Sequence, residues 1–370
     1  MLRLTDIKLA DGSVISGIEA YDGKDHLDEK DMSAFTALPG FFDSHIHGSF
    51  GYDVSDGRAE DVVKMASLLP SFGVSDFLPT LMTLDEDAVL RAAGAVYEAK
   101  QKLSGTDLAF AEIAGLRLEG PFLSPLRAGV QDSVNLVTAD KLASIIEKIE
   151  RDYPGLLKMI DIAPELDGAM ELVKGLKDKY VISLGHSDCD YKTADEFFKI
   201  GGNSLTHALN AMRPCLKREP GPLGAAFDNS DSYIEVICDG IHVDPTVLRM
   251  LFKLFEDRII VISDAMRAAG MPDGIYDLGG TPVESRDGRT YFGKNGNLAG
   301  SVTCAAQEAL RLFSYGISKK SIVKALSYTP RERLNINKSG HLSDLVFVDD
   351  EMRLMCMISR GRLVSPYIML

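Results

Sequence analysis

No uninterrupted apolar run in the 370 residues approaches the ~20 needed to span a bilayer, which argues against a helical membrane protein. The segment Met1–Gly12 carries Arg3, Asp6, Lys8 and Asp11, so it lacks the apolar core of a secretory signal and a cytoplasmic location is expected. Positive charge is in deficit: 40 Lys and Arg face 54 Asp and Glu, giving a net charge of −14. So acidic a chain is a poor nonspecific partner for nucleic acid or an anionic membrane, and any anionic ligand would need a local positive site. The five cysteines (Cys189, Cys215, Cys238, Cys304, Cys356) are scattered, odd in number and without C-x-x-C spacing, which argues against a disulfide framework and leaves them as reduced, small core residues. A Gly-rich phosphate loop is missing as well, since Gly293-Lys294-Asn295 lacks the following Ser/Thr and the upstream glycine. There is no internal repeat and no low-complexity tract.

Apolar and charged fractions of 45% and 25% are those of a globular chain with a sizeable core. Eight short apolar runs alternate with amphipathic stretches: 41–47, 74–82, 113–120, 157–164, 180–186, 204–209, 233–238 and 258–263. Helical patterns at 59–69, 85–103, 139–153, 193–200 and 245–255 separate many of them, with Gly, Pro or Asp near the boundaries. Eight β-α alternations predict an α/β fold closed as a (β/α)8 barrel, with an open doubly wound sheet as the alternative. The ends differ from the middle. Residues 1–37 read as short β segments, as do 345–348 and 354–364, so a small β-sandwich domain built from 1–38 and 338–370 is expected beside a barrel over 39–337, with closing helices at 302–313 and 319–328.

In such a barrel the chemistry sits at the C-terminal ends of several strands. Here the polar residues at those ends are His45 and His47, Glu119, His186, His207 and Asp264, which places four of the seven histidines on one face. Two residues apart on a strand, His45 and His47 point the same way and suit one metal ion. The two oxygens of Glu119 allow it to bridge to a second ion held by His186 and His207. Neutral imidazole with carboxylate suits zinc first and also iron, manganese or cobalt, so one or two divalent ions are expected, with zinc ahead of the others and no identity fixed by the ligands.

The segments Pro39-Gly40-Phe41-Phe42-Asp43-Ser44-His45-Ile46-His47-Gly48, Leu118-Glu119-Gly120-Pro121-Phe122, Gly185-His186-Ser187, Thr206-His207-Ala208-Leu209-Asn210-Ala211-Met212, Asp239-Gly240-Ile241-His242 and Ser263-Asp264-Ala265 closely resemble, in order, the N-acetylglucosamine-6-phosphate deacetylases of the amidohydrolase superfamily. Leu298-Ala299-Gly300-Ser301 and Tyr328-Thr329-Pro330 extend the likeness. The H-x-H pair alone marks only the superfamily, whereas Glu-Gly-Pro-Phe with Thr-His-x-x-Asn-Ala-Met is specific to this branch. The resemblance implies hydrolysis of the acetamide of an amino-sugar phosphate, with Asp264 at the metal centre as general base and then acid. It also implies substrate contacts at Val130, Gln131, Asn210, Ala211, Arg218, Asp239, Gly240, Ile241, His242, Leu298, Ala299 and Gly300. Arg218 and His242 would face the phosphate, and a homodimer is expected because such relatives share phosphate-binding groups across an interface.

Two departures from the family pattern stand out. Gln131 replaces a histidine found in many relatives and cannot act as a cation, and Arg267 occupies a segment where relatives carry small residues. They bear on sugar specificity more than on the reaction. Deacetylation of N-acetylgalactosamine 6-phosphate, or another amidohydrolase activity, is therefore the alternative reading. A non-catalytic sugar-phosphate-binding regulator is a more remote one.

Overall fold

The structure is a computed structural model describing residues 1–15, 17–24, 26–293, 296–336 and 344–367. The expected boundary at 338 and His341 lie outside the described residues, as do Lys294 and Asn295.

Each apolar run became a parallel strand: Phe41–Ile46, Val74–Leu81, a third in two pieces (Glu112–Ile113 and Leu116–Glu119), Leu157–Ile162, Val181–Leu184, Ser204–Leu205, Tyr233–Ile237 and Ile259–Ile262. Neighbours pair in chain order, and closure falls where the Asp264 N–H donates to the His45 carbonyl at 3.0 Å beside a parallel bridge between Ile46 and Ala265. The barrel is therefore closed, not doubly wound. Three of the helices around it start where an aspartate takes a free N–H group: Asp85 caps Glu86–Leu103, Asp190 caps Tyr191–Ile200 and Asp244 caps Pro245–Phe255. Helix Ala139–Asp152 buries Leu142, Ile145, Ile146 and Ile149, the i, i+3, i+4, i+7 stripe that binds a helix to a sheet.

Strands from both ends of the chain form two small sheets. One has three strands (Ile18–Ala20, Leu2–Thr5, Asp28–Asp31), and the other joins Ile7–Leu9 and Thr36–Pro39 to Leu345–Val348 and Leu354–Ser359. Leu2, Leu4, Met32, Phe347 and Ile358 pack between them in a core separate from the main one.

Beneath the strand ends the barrel is filled with charge. Arg117, two residues before Glu119 and fully buried, donates from Nε and Nη2 to Asp161 at 2.9 and 3.0 Å and from Nη1 and Nη2 to Glu235 at 2.7 and 2.8 Å. Arg333, from the helix Thr329–Arg333, reaches Glu235 at 2.5 Å and Ser44 Oγ at 2.9 Å. Two guanidinium groups thus meet two carboxylates in a neutral layer that carries the ligand-bearing strand ends. Below it lie Phe42, Leu78, Met159 and Val181. Removing one member leaves charges buried without a partner, so Arg117→Met is expected to destabilise the fold by about 3–5 kcal/mol. Arg117→Lys should rescue little, because an ammonium cannot grip two carboxylates side by side. The denaturant midpoints of both variants check this.

A four-stranded antiparallel sheet absent from the sequence reading (Gly274–Leu278, Thr281–Arg286, Arg289–Phe292, Asn297–Leu298) follows the eighth strand. Its hairpins turn on Gly279-Gly280 and Asp287-Gly288, all four with positive φ, the two-residue connection such pairs favour. Arg267 ties it down, reaching Asp56 at 2.8 Å and Asp277 at 3.4 Å. That departure from the family pattern is therefore an anchor between the first barrel loop and the inserted sheet.

Candidate active site

His45 and His47 leave the first strand two residues apart. The His47 Nδ1 lies 3.1 Å from the Thr80 carbonyl, which can only accept, so Nδ1 carries a proton and Nε2 is the nitrogen turned toward the carboxylates. The same logic fixes His186, whose Nδ1 donates to the Arg127 carbonyl at 2.8 Å. Glu119 stands at the centre. Its Oε1 is 3.1 Å from His186 Nε2, 3.0 Å from His207 Nε2 and 3.4 Å from His45 Nε2, while Oε2 is 3.3 Å from His47 Nε2. Asp264 closes the other side, with Oδ1 3.2 Å from His47 Nε2 and 3.5 Å from His45 Nε2. His186, His207 and Asp264 follow their strands with φ of 46°, 29° and 48°, a left-handed backbone that costs about 1–3 kcal/mol per residue and turns each side chain inward.

Burial by itself would raise the Glu119 carboxyl, but His45 and His186 hold it well below the usual carboxylate range. Burial would likewise raise Asp264, and His45 and His47 reverse it to a net lowering. For His45 burial works the other way, as does Arg117, yet the carboxylates of Glu119 and Asp264 lift the ring to about 9. The cluster is one in which two buried carboxylates demand positive charge.

A divalent cation fits that demand. His186 Nε2 and His207 Nε2 lie 3.2 Å apart, both directed at one carboxylate oxygen, which sets lone pair against lone pair unless a cation or proton lies between. Both ring nitrogens of buried His45 lack a hydrogen-bond partner. The donors fall into two triads, His45–His47–Asp264 and Glu119–His186–His207, each with ligand atoms within 4.8 Å of one another. A third grouping of His45, Glu119 and Asp161 is no ligand set, because Arg117 occupies both oxygens of Asp161. Imidazole nitrogen with carboxylate oxygen is the donor set of first-row divalent ions.

The cluster floors a cavity of about 470 Å³, within the size range of small-molecule sites. Of the residues expected to touch substrate, Val130, Gln131, Asn210, Ala211, His242, Leu298, Ala299 and Gly300 are on its wall. Arg218, Asp239, Gly240 and Ile241 are not. Arg218 is exposed in the loop beyond Met212. Asp239 instead accepts the N–H groups of Ile241 and His242 at 2.8 Å each and grips His242 Nδ1 at 2.7 Å, while a side chain at Gly240 would run into the Tyr315 hydroxyl. The segment 239–241 is thus the turn that aims His242. Burial would lower that imidazole, but Asp239 raises it above its ordinary value and favours the cationic ring. Cys238 beside it is inert, its thiol pushed well above the usual range by burial and then by Glu308 and Asp239. All five cysteines are free.

Some wall residues were not found from sequence. Arg127 shares Asp188 with Arg213, at 2.7 and 2.8 Å, so two guanidinium groups meet one carboxylate and leave a local positive charge at the mouth. Nothing in Ser124-Pro125-Leu126-Arg127 marks it as a motif. Met82 and Ile237 also line the cavity from strand ends. The position was the signal, but a search for polar side chains passes over them.

No protein-family model matches the chain. It is 35% identical over 335 residues, 88% of this chain and 84% of the relative, to the N-acetylglucosamine-6-phosphate deacetylase of Bacillus subtilis. It is 30% identical over 374 residues, covering 97% and 94%, to the N-acetylgalactosamine-6-phosphate deacetylase of Escherichia coli O157:H7. Among solved structures, the N-acetyl-D-glucosamine-6-phosphate deacetylase of Mycobacterium smegmatis, determined in complex with N-acetyl-D-glucosamine-6-phosphate, superposes with a TM-score of 0.86 at 25% identity over 98% of both chains. A closed barrel with this ligand cluster and a relative of that identity over most of both lengths lead to one assignment: the chain belongs to the N-acetylglucosamine-6-phosphate deacetylase family of the amidohydrolase superfamily.

Proposed function

We propose that the protein hydrolyses N-acetyl-D-glucosamine 6-phosphate to D-glucosamine 6-phosphate and acetate, in amino-sugar metabolism. The observation that carries this reading is Glu119 shared among four imidazoles with Asp264 facing them at the floor of the cavity. His45, His47, Glu119, His186, His207 and Asp264 would hold one or two divalent ions, and zinc suits the donors best, ahead of iron, manganese or cobalt. Such an ion, when bound, supplies a Lewis acid for the acetamide carbonyl and lowers the pKa of water toward neutrality. Asp264, kept ionised by His45 and His47, takes a proton from the attacking water as the C–O bond forms. It returns that proton to the nitrogen as the C–N bond breaks, so glucosamine 6-phosphate leaves as the amine.

The phosphate has to be met by local positive charge in an acidic chain. His242 supplies it, and Arg127 joins it as the arginine on the wall among the described residues. The wall residues Val130, Asn210, Ala211, Leu298, Ala299 and Gly300 would enclose the sugar. Arg218 is exposed and off the wall of its own cavity, a placement that suits service to a partner's cavity in a homodimer. The division into a β-unit of 1–38 and 338–370 and a barrel of 39–337 belongs to the same reading and is supported by the separate cluster around Leu4, Met32 and Phe347, while Val346, Val348 and Met357 seat the unit on the main core. Among the described residues no helix is long and apolar enough to cross a membrane, and a cytoplasmic enzyme is proposed.

The likeness to a galactosamine-specific relative favours one second reading, the epimeric substrate. Acetate release from the two 6-phosphates and from unphosphorylated N-acetylglucosamine separates them. The glucosamine phosphate is expected to give the highest kcat/KM. Loss of the phosphate should cost about 10²-fold or more, the worth of two charge-assisted contacts at about 1.5–3 kcal/mol each. Higher kcat/KM with the galactosamine phosphate would transfer the assignment to the epimer.

A further inference from the structure

Gln131 is on the cavity wall, yet its amide is already engaged by the protein. Only 5% of the residue is exposed. Oε1 accepts the Thr83 backbone N–H at 2.7 Å and Nε2 donates to Glu119 Oε2 at 2.5 Å, with Met82 Sδ 3.7 Å away on the other Nε2 proton. Chemistry fixes this orientation. Turning the amide over would set its oxygen against a carboxylate and its NH2 against an N–H. Thr83 is itself tied to the same strand end, since its hydroxyl donates to the Glu119 carbonyl at 3.2 Å.

The consequence falls on how Glu119 divides its oxygens. Oε1 faces His186, His207 and His45, while Oε2, the oxygen that Gln131 grips, faces His47. Without that grip Oε2 would keep only the His47 nitrogen at 3.3 Å, and the division of the two oxygens between the halves of the cluster would loosen on that side. We propose that Gln131 is a positioning residue for Glu119: wedged between the Thr83 N–H and Oε2, it holds the carboxylate across the two ligand triads and so governs metal affinity rather than sugar binding. This rests on the metal-centre reading above and assigns Gln131 a role different from the substrate contact expected from sequence. Outer partners of metal ligands typically govern affinity by about 10–100-fold.

The test is competition of the full-length apoprotein against a chromophoric chelator for Zn²⁺, with Co²⁺ absorption as a second readout of ligand geometry. Gln131→Met, which keeps the length and removes both hydrogen bonds, should weaken ion binding by about 10–100-fold and alter the Co²⁺ spectrum. KM for the sugar phosphate, measured at saturating ion, should stay at the wild-type value. Should that variant not fold, Gln131→Asn reads the same quantity, since its amide is one methylene too short to span from the Thr83 N–H to Glu119 Oε2 and adds no charge, and weaker binding is again expected. Ion affinity within twofold of wild type would overturn the proposal, and a raised KM beside it would return Gln131 to the substrate. A wild-type chain that binds no divalent ion would overturn the metal reading and this inference together, which distinguishes the two failures.

Discussion

Asp264→Asn is expected to lower kcat by about 10²–10⁴-fold while leaving KM and the thermal midpoint close to wild type. The amide matches the carboxylate in size, and asparagine tolerates the left-handed backbone that residue 264 adopts at φ 48°. Its Oδ1 can still face His47 and His45, so the floor of the cavity keeps its shape. What disappears is the proton acceptor. Because the proton taken from water is the one delivered to the leaving nitrogen, both halves of the reaction fail together. Steady-state acetate release on a protein shown by calorimetry to be folded measures the effect. A loss of less than tenfold would mean that another group carries the proton, and a matching collapse of the thermal midpoint would mean that Asp264 is structural.

Glu119→Gln should be as damaging for a different reason. Glu119 contributes both oxygens to the cluster, and four imidazoles approach it within 3.4 Å. A glutamine there removes the charge that draws a cation in, and its NH2 has no lone pair to offer an ion in place of the lost oxygen. Ion content by elemental analysis after dialysis is expected to fall, with affinity lost by more than the about 10–100-fold typical of outer partners, and acetate release should drop to background. The pair of variants is diagnostic. Asp264→Asn should retain ion without turnover, whereas Glu119→Gln should retain neither. Ion content unchanged in Glu119→Gln would displace Glu119 from the centre of the site.

The residues that come together here were legible to unequal degrees. The strand runs could be read because a fully buried parallel strand is a short apolar run bounded by turn residues. The ligands could be read because they sit at the ends of those runs. Arg117, Asp161, Glu235 and Arg333 could not be paired in advance. They are far apart in sequence, and only closure of the barrel brings three isolated charges inside apolar runs to one layer with Arg333 of the helix Thr329–Arg333, where they satisfy each other. The helix Gly221–Asp228 was hidden for the opposite reason: Gly221-Pro222-Leu223-Gly224 has poor intrinsic helix propensity, and tertiary packing overrides it. The inserted sheet over 274–298 was announced by Gly279-Gly280 and Asp287-Gly288, but its strands are half-exposed and carry little apolar signal. Gln131 is a subtler case. Its chemical type suggested a hydrogen bond to ligand, and only the placement of Thr83 and Glu119 reveals that both ends are occupied.

The most direct test is acetate release from N-acetylglucosamine 6-phosphate by protein stripped of metal with a chelator, then titrated with single divalent ions. Activity should be lost on stripping and restored by at least one of zinc, iron, manganese or cobalt, with one equivalent of glucosamine 6-phosphate formed per acetate. Undiminished release from the fully stripped protein, or no release under any of these ions with the ion demonstrably bound, would contradict it.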